Sequence, residues 1–143
     1  MYKVIRTVQY KINLPPIALA RARYALNNKG GGHVYDSQKE VKLLYGIYLK
    51  SQHEGLPPFK GQIHITMTFT FPLPKRVTKN KQVLIGQYYT HVPDLDNLIK
   101  FMGDISQDCG LFENDCIVTS LHASKVYGEE PSTTMMINEL ELR

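Results

Sequence analysis

Residues 62–71 alternate strictly between apolar and polar. Ile63, Ile65, Met67, Phe69 and Phe71 fall on one side of an extended chain, and Gln62, His64, Thr66, Thr68 and Thr70 fall on the other. Period-two patterning of this length makes a β-strand with one apolar face, and the fold has to be built around such a strand. Residues 2–14 repeat the pattern more loosely, with Tyr2, Val4, Val8, Tyr10, Ile12 and Leu14 on one face, and Pro15-Pro16 end the run because proline cannot donate to a ladder. Residues 116–127 and 132–142 read as two further strands separated by the turn Gly128-Glu129-Glu130-Pro131, with room for a short strand over 82–89.

Helical spacing occurs twice. Asp36 or Ser37 is placed to cap a helix running to about Ser51, in which Val41, Leu44, Tyr45, Tyr48 and Leu49 form an apolar face. Asp94 is placed as the N-cap of a second helix, where Leu95, Leu98, Ile99, Met102 and Ile105 form a stripe to about Asp108 and Cys109-Gly110 supply the stop. Residues 15–35 read as a loop carrying Arg21, Arg23, Lys29 and Gly30-Gly31-Gly32. The order β, α, β, α, β, β, with the optional short strand before the second helix, predicts one mixed α/β (α+β) domain over residues 1–143, with a single small mixed sheet and two principal helices.

Composition narrows the function. At 43% hydrophobic and 21% charged the chain is an ordinary globular one, with no run approaching a membrane span and no apolar signal-peptide core at its N-terminus, so a cytoplasmic protein is expected. Cys109 and Cys116 lie seven apart without a CxxC, a pattern of reduced thiols rather than structural zinc. The net charge of +4 is unevenly spread. Residues 1–93 hold 14 Lys or Arg against 3 Asp or Glu, whereas residues 94–143 hold 3 against 10. A basic part that attracts a polyanion beside an acidic part that holds cations suits metal-assisted chemistry on nucleic acid.

The acidic part is centred on Pro93-Asp94-Leu95-Asp96-Asn97-Leu98-Ile99-Lys100, with Asp115 a short loop beyond the second helix. Clustered carboxylates repel unless a cation joins them, and an all-oxygen set suits a hard divalent metal. Capping accounts for Asp94 alone. An EF-hand starting at Asp94 fails, because Leu98, Ile99 and Ile105 stand where an oxygen ligand, Gly and Glu are required. Asp96, Lys100 and Asp104 recur at four-residue intervals on one helical face. They are either a surface ion-pair ladder or a set that lets Lys100 meet a phosphate.

These residues resemble the RusA-type Holliday junction resolvases of bacteria and their phages. The likeness rests on Asp94-x-Asp96-Asn97-x-x-Lys100, then Asp104, then Gly110-Leu111-Phe112 leading to Asp115 and Ile117-Val118. The strand ending in Pro15-Pro16, the basic loop and the helix after it follow the same order. The resemblance implies a small α/β homodimer in which Asp94, Asp96 and Asp115 bind Mg²⁺, or Mn²⁺ in its place, and Lys100 is also required for catalysis. Members often carry paired acids before the last-named strand. Here Asn114 precedes Asp115 and Glu113 is displaced by one, so Asp115 is the better ligand candidate. The expected substrate is a four-way DNA junction, with Arg21, Arg23, Lys75, Arg76, Lys79 and Lys81 along its phosphates. Two rival readings are a nuclease of the same family preferring forks or flaps, and a branched-DNA-binding protein without catalysis.

Overall fold

The structure is a computed structural model and describes residues 1–20, 23–27, 30–75 and 81–143. Its elements in chain order are β1 (Tyr2–Ile12), β2 (Arg23–Leu26), β3 (Gly32–Tyr35), α1 (Lys39–Gln52), β4 (Gln62–Pro72), α2 (Leu95–Asp108), β5 (Val118–Gly128) and β6 (Ser132–Leu142). The main sheet has the order β1-β6-β4-β5, antiparallel except for the β4–β5 pair. A parallel pair needs a long crossover, and α2 supplies it. This is the expected mixed α+β fold, with an addition. Residues 15–35 are not all loop, because β2 and β3 form a separate two-stranded antiparallel sheet.

The strict alternation of β4 is borne out. Ile63, Ile65, Met67 and Phe69 are buried beneath both helices, together with Met135 and Ile137 of β6 and Tyr10 and Ile12 of β1. From α2 come Leu98, Phe101, Met102 and Ile105, and from α1 Tyr45 and Leu49, with the Tyr45 ring edge-on to Phe101 at 5.5 Å. Burying each such side chain contributes about 1.5–3 kcal/mol before entropy is charged against it. The opposite sheet face carries Thr66, Thr68, Thr134 and Gln9 and is covered by neither helix.

Two strand readings change. A bulge between Val4 and Arg6 reverses the pleat of β1, so Tyr2 and Val4 leave the face that buries Tyr10 and Ile12 and stand exposed opposite Leu142 and Leu140. Residues 82–89 make a 3-10 turn, Lys81–Leu84, and two isolated bridges, Ile85 to Tyr127 and Tyr88 to Val126, rather than a strand. The turn chemistry before β5 also differs from a plain strand start. Asp115–Ile117 is a 3-10 turn whose Cys116 N–H donates to the Asn114 side chain at 2.9 Å.

Neither helix is capped by an aspartate side chain. The N-cap of α1 is Gln38, while Asp36 accepts the Gln38 N–H at 2.8 Å and pairs with Lys42 at 2.6 Å. Along α1 the expected face is only half buried, for Leu44 and Tyr48 are exposed with Leu43 and Ile47. Both cysteines are free, Cys109 partly covered and Cys116 exposed. Among the described residues no helix is long and apolar enough to cross a membrane.

Candidate active site

Asp94 occupies the N-cap position of α2 with extended backbone angles, φ −70° and ψ 141°, yet its side chain makes no capping hydrogen bond. Its carbonyl accepts the Leu98 N–H at 3.2 Å, so the helix starts without the carboxylate. The role that elementary helix chemistry would give this residue is therefore unused, and among the described residues the carboxylate has no partner. Asp96 lies in the first turn, where unpaired N–H groups and the helix dipole favour an anion. It faces Lys100 one turn on at 3.9 Å, and both side chains are well exposed. A pair this open adds little stability.

The segment that delivers Asp94 is fixed from β5. Lys125 donates from its ammonium to the carbonyls of His91 and Pro93, at 2.6 and 2.7 Å, and stands 5.5 Å from the centre of the Tyr89 ring. Tyr89 stacks on Phe71 at 4.1 Å and donates its hydroxyl to Val92 O at 3.2 Å. The Val92–Pro93 peptide is cis. Tyr89 and His91 thus belong to the scaffold of this loop, whereas Tyr88 is largely exposed. Sequence reasoning missed Lys125. A lone lysine in a strand carries no local signal, and its role depends on carbonyls more than thirty positions away.

Asp115 is placed elsewhere. Its N–H donates to the Gln107 side chain at 2.9 Å, which ties it to the last turn of α2. It lines a cleft of about 210 Å³ with Lys100, Gly103, Asp104, Phe112 and Leu121. Asp104 also approaches Lys42 at 3.7 Å. The structure therefore gathers Asp115, Lys100 and Asp104 around one cleft, with Asp94 and Asp96 at the start of the helix. Gln107, whose side chain holds the Asp115 N–H, lies eleven residues beyond Asp96, roughly 16 Å along the axis at 1.5 Å of rise per residue. Ligands of one magnesium ion need oxygens about 2 Å from it. Consistently, no group of three His, Cys, Asp or Glu close enough to hold a metal occurs among the described residues. The donor chemistry suits a hard cation, with Asp94 and Asp96 at the start of α2 and Asp115 tied to its last turn.

Of the basic residues expected along DNA, Arg21, Arg76 and Lys79 lie outside the described residues. Arg23 begins β2, Lys81 begins the 3-10 turn, and Lys75 is exposed at the end of the connection after β4. Glu113 is exposed before the Asp115 turn and lines a different hollow, with Phe59, Lys60 and Gly61.

Asp94, Asp96 and Lys100 thus stand on the first turns of α2, and Asp115 stands just beyond its end. The family described as endodeoxyribonuclease RusA matches residues 13–138. The chain belongs to the RusA family. It is also similar to a Bacillus subtilis (strain 168) protein described as uncharacterized protein YqaN. The two are 28% identical over 141 residues, a span covering 93% of this chain and 96% of that protein. RusA membership makes this chain an endodeoxyribonuclease-family protein with branched DNA as the family's substrate class.

Proposed function

We propose that this RusA-family protein is a divalent-metal-dependent endonuclease that resolves four-way DNA junctions as a homodimer. The observation that carries the reading is the pair of exposed carboxylates, Asp94 and Asp115, with no hydrogen-bond or ion-pair partner among the described residues, in a chain that matches the RusA family over residues 13–138. Asp94, Asp96 and Asp115 would hold Mg²⁺ or Mn²⁺. Because Asp94 and Asp96 are separated from Asp115 along α2, we assign closure of each site to two copies, Asp94 and Asp96 from one protomer meeting the partner's Asp115. When bound, the cation lowers the pKa of a coordinated water and neutralises charge on the departing 3′ oxygen.

The chain's own residues do the rest. Lys125 and the packed Tyr89 hold the loop that aims Asp94. Gln107 holds the turn that aims Asp115. Lys100, a flexible exposed ammonium one turn from Asp96, meets the scissile phosphate and offsets its developing charge. Lysines and arginines of the basic first two-thirds contact phosphates away from the cut and make affinity salt-dependent. Two sites related by a two-fold axis suit symmetric incision of a junction that has the same symmetry.

Synthetic four-way, forked and linear DNA incubated with and without Mg²⁺, beside Asp96→Asn, tests the proposal. Paired incisions in the junction are expected only with metal, and the nearly isosteric Asn should lower their rate on the order of 10²-fold or more. Faster cutting of forks would place the substrate elsewhere in the family's range. Junction binding without any incision, or a fully active Asp96→Asn, would defeat the proposal.

A further inference from the structure

The β2–β3 ribbon has an apolar face that no other element covers among the described residues. In its antiparallel register Tyr24 pairs with Val34 and Leu26 with Gly32, so Tyr24, Leu26 and Val34 share one side. Their relative exposures are 64%, 76% and 69%. The Tyr24 ring lies over Gly32 in the space that a Cβ there would fill, so only glycine lets the ring take this position. On the other side the His33 and Tyr35 rings stand 5.9 Å apart. An isolated two-stranded ribbon is at best marginally stable in water, so this one depends on its anchor and on what it meets.

The anchor is at the candidate active site. Gln38 accepts the Ala20 N–H at 2.9 Å and donates to Ala18 O at 2.9 Å, clamping the two stems of the ribbon together. Leu19 N–H donates at 2.8 Å to the carbonyl of Asn97, the residue after Asp96. Asp36, past the end of β3, is bonded to Lys42, which also approaches Asp104. The ribbon thus springs from the first turn of α2.

Charge selects the occupant. Residues 17–35 contain Arg21, Arg23, Lys29 and His33 and no Asp or Glu. A basic arm with an aromatic and aliphatic face suits a polyanion that also offers apolar planes, namely unstacked bases. In continuous duplex those planes are hidden in the stack, whereas at a branch point stacking is interrupted and a side chain can enter. We propose that the β2–β3 ribbon is a branch-point probe, its Tyr24–Leu26–Val34 face packing on bases unstacked at the centre of the bound junction. This rests on the junction reading above and adds how that same site tells branched DNA from linear DNA.

The test uses the full-length protein, its Tyr24→Ser/Leu26→Ser/Val34→Ser variant, and the single variants Leu26→Ser and Tyr24→Phe. Each is titrated onto a four-way junction with 2-aminopurine at the branch point and onto linear duplex of the same composition. Circular dichroism establishes that the variants are folded, as expected for exposed positions. Wild type should raise or quench the 2-aminopurine signal and prefer the junction. The triple variant should lose the signal and roughly tenfold or more of the junction-to-duplex preference, Leu26→Ser should lose part of it, and Tyr24→Phe should retain it. A triple variant that keeps both signal and preference overturns the ribbon proposal alone. Conversion of a wild-type dimer to monomers by the triple variant, at unchanged junction preference per protomer, also overturns it and makes the face a contact between copies. A wild-type protein with no junction preference overturns this proposal together with the function it rests on.

Discussion

Asp94 illustrates how much a single residue can hide. Its position before Leu95 reads as a helix cap, and the cap position is where it stands, yet the carboxylate does no capping. Removing its charge should therefore leave the fold almost unchanged. Asp94→Asn is expected to shift the thermal midpoint by no more than a degree or two, since an N-cap loss of about 1 kcal/mol does not apply. Junction cleavage should fall on the order of 10²-fold. Calorimetry beside a cleavage assay separates the two effects, and a large loss of stability would return Asp94 to a structural role. The placement of Asp94, Asp96 and Lys100 on the first turns of α2 was legible because helical spacing is local. Lys125 was not, because the carbonyls it bonds belong to a different part of the chain. If Lys125 positions Asp94, Lys125→Met should preserve junction binding and raise the Mg²⁺ concentration for half-maximal cleavage by roughly 10–100-fold, the range for losing a group that orients a ligand. A lowered maximal rate at unchanged Mg²⁺ dependence would exclude a positioning role.

Elements with one strong period were readable, and those shaped by tertiary pairing were not. The strand over 62–71 and the stripe of α2 follow from side-chain alternation alone, which is why both stand in the core as expected. The bulge in β1 was hidden in plain view: polar Arg6 sits between Val4 and Val8 in a supposedly apolar face, and while Arg6 keeps the side of Val8, Tyr10 and Ile12, the extra residue before it sends Val4 to the other. Arg6 bonds Pro57 O at 2.7 Å, pairs with Glu139 at 3.2 Å and covers the Phe59 ring at 4.1 Å. Beside it, Tyr10 donates its hydroxyl to His53 Nδ1 at 2.6 Å and His53 Nε2 donates to Pro57 O at 3.1 Å, so β1, the end of α1 and the 53–60 segment are joined through a neutral imidazole. Burial lowers the His53 pKa from its ordinary 6.5, the bond to Pro57 opposes this, and the Arg6 charge adds to the lowering. Above about pH 6.5 both folded and unfolded His53 are neutral. As pH falls below that value the unfolded chain binds a proton that the folded one resists, so stability declines until the lowered folded pKa is passed. Thermal melts from pH 7.5 to 5 should record that decline. His53→Ala should make it shallower while lowering stability at every pH by about 1–3 kcal/mol, because the Tyr10 hydroxyl loses its acceptor. An unchanged slope would remove His53 as the titrating group.

For the whole molecule, Asp94 and Asp96 stand at the start of α2 and Asp115 is tied to Gln107 in its last turn. Asp94, Asp96 and Asp115 lie close in the sequence, and one helix intervenes. Asp115 is held by Gln107 at the end of that helix, and Asp94 follows the loop that Lys125 secures at its start. Under the composite reading, one copy supplies Asp94 and Asp96 and a second copy supplies Asp115 to each of two sites. If two copies close them, complementation follows from counting. Asp96→Asn alone inactivates both sites of a dimer, as does Asp115→Asn alone. In a mixed dimer of the two variants, one site receives both substitutions and the other receives neither. Mixing the separately inactive proteins, after subunit exchange, should thus restore incision of one strand of the junction, up to roughly half of the molecules being mixed dimers at equal input. A site contained within one chain predicts the opposite, because every site in the mixture would still carry a substitution. The size of the incised product identifies the strand, and sedimentation of the mixture reports whether dimers are present. Dimers that stay inactive when mixed would place all three carboxylates in one protomer and require the Asp115 turn to move toward the start of α2 when metal binds.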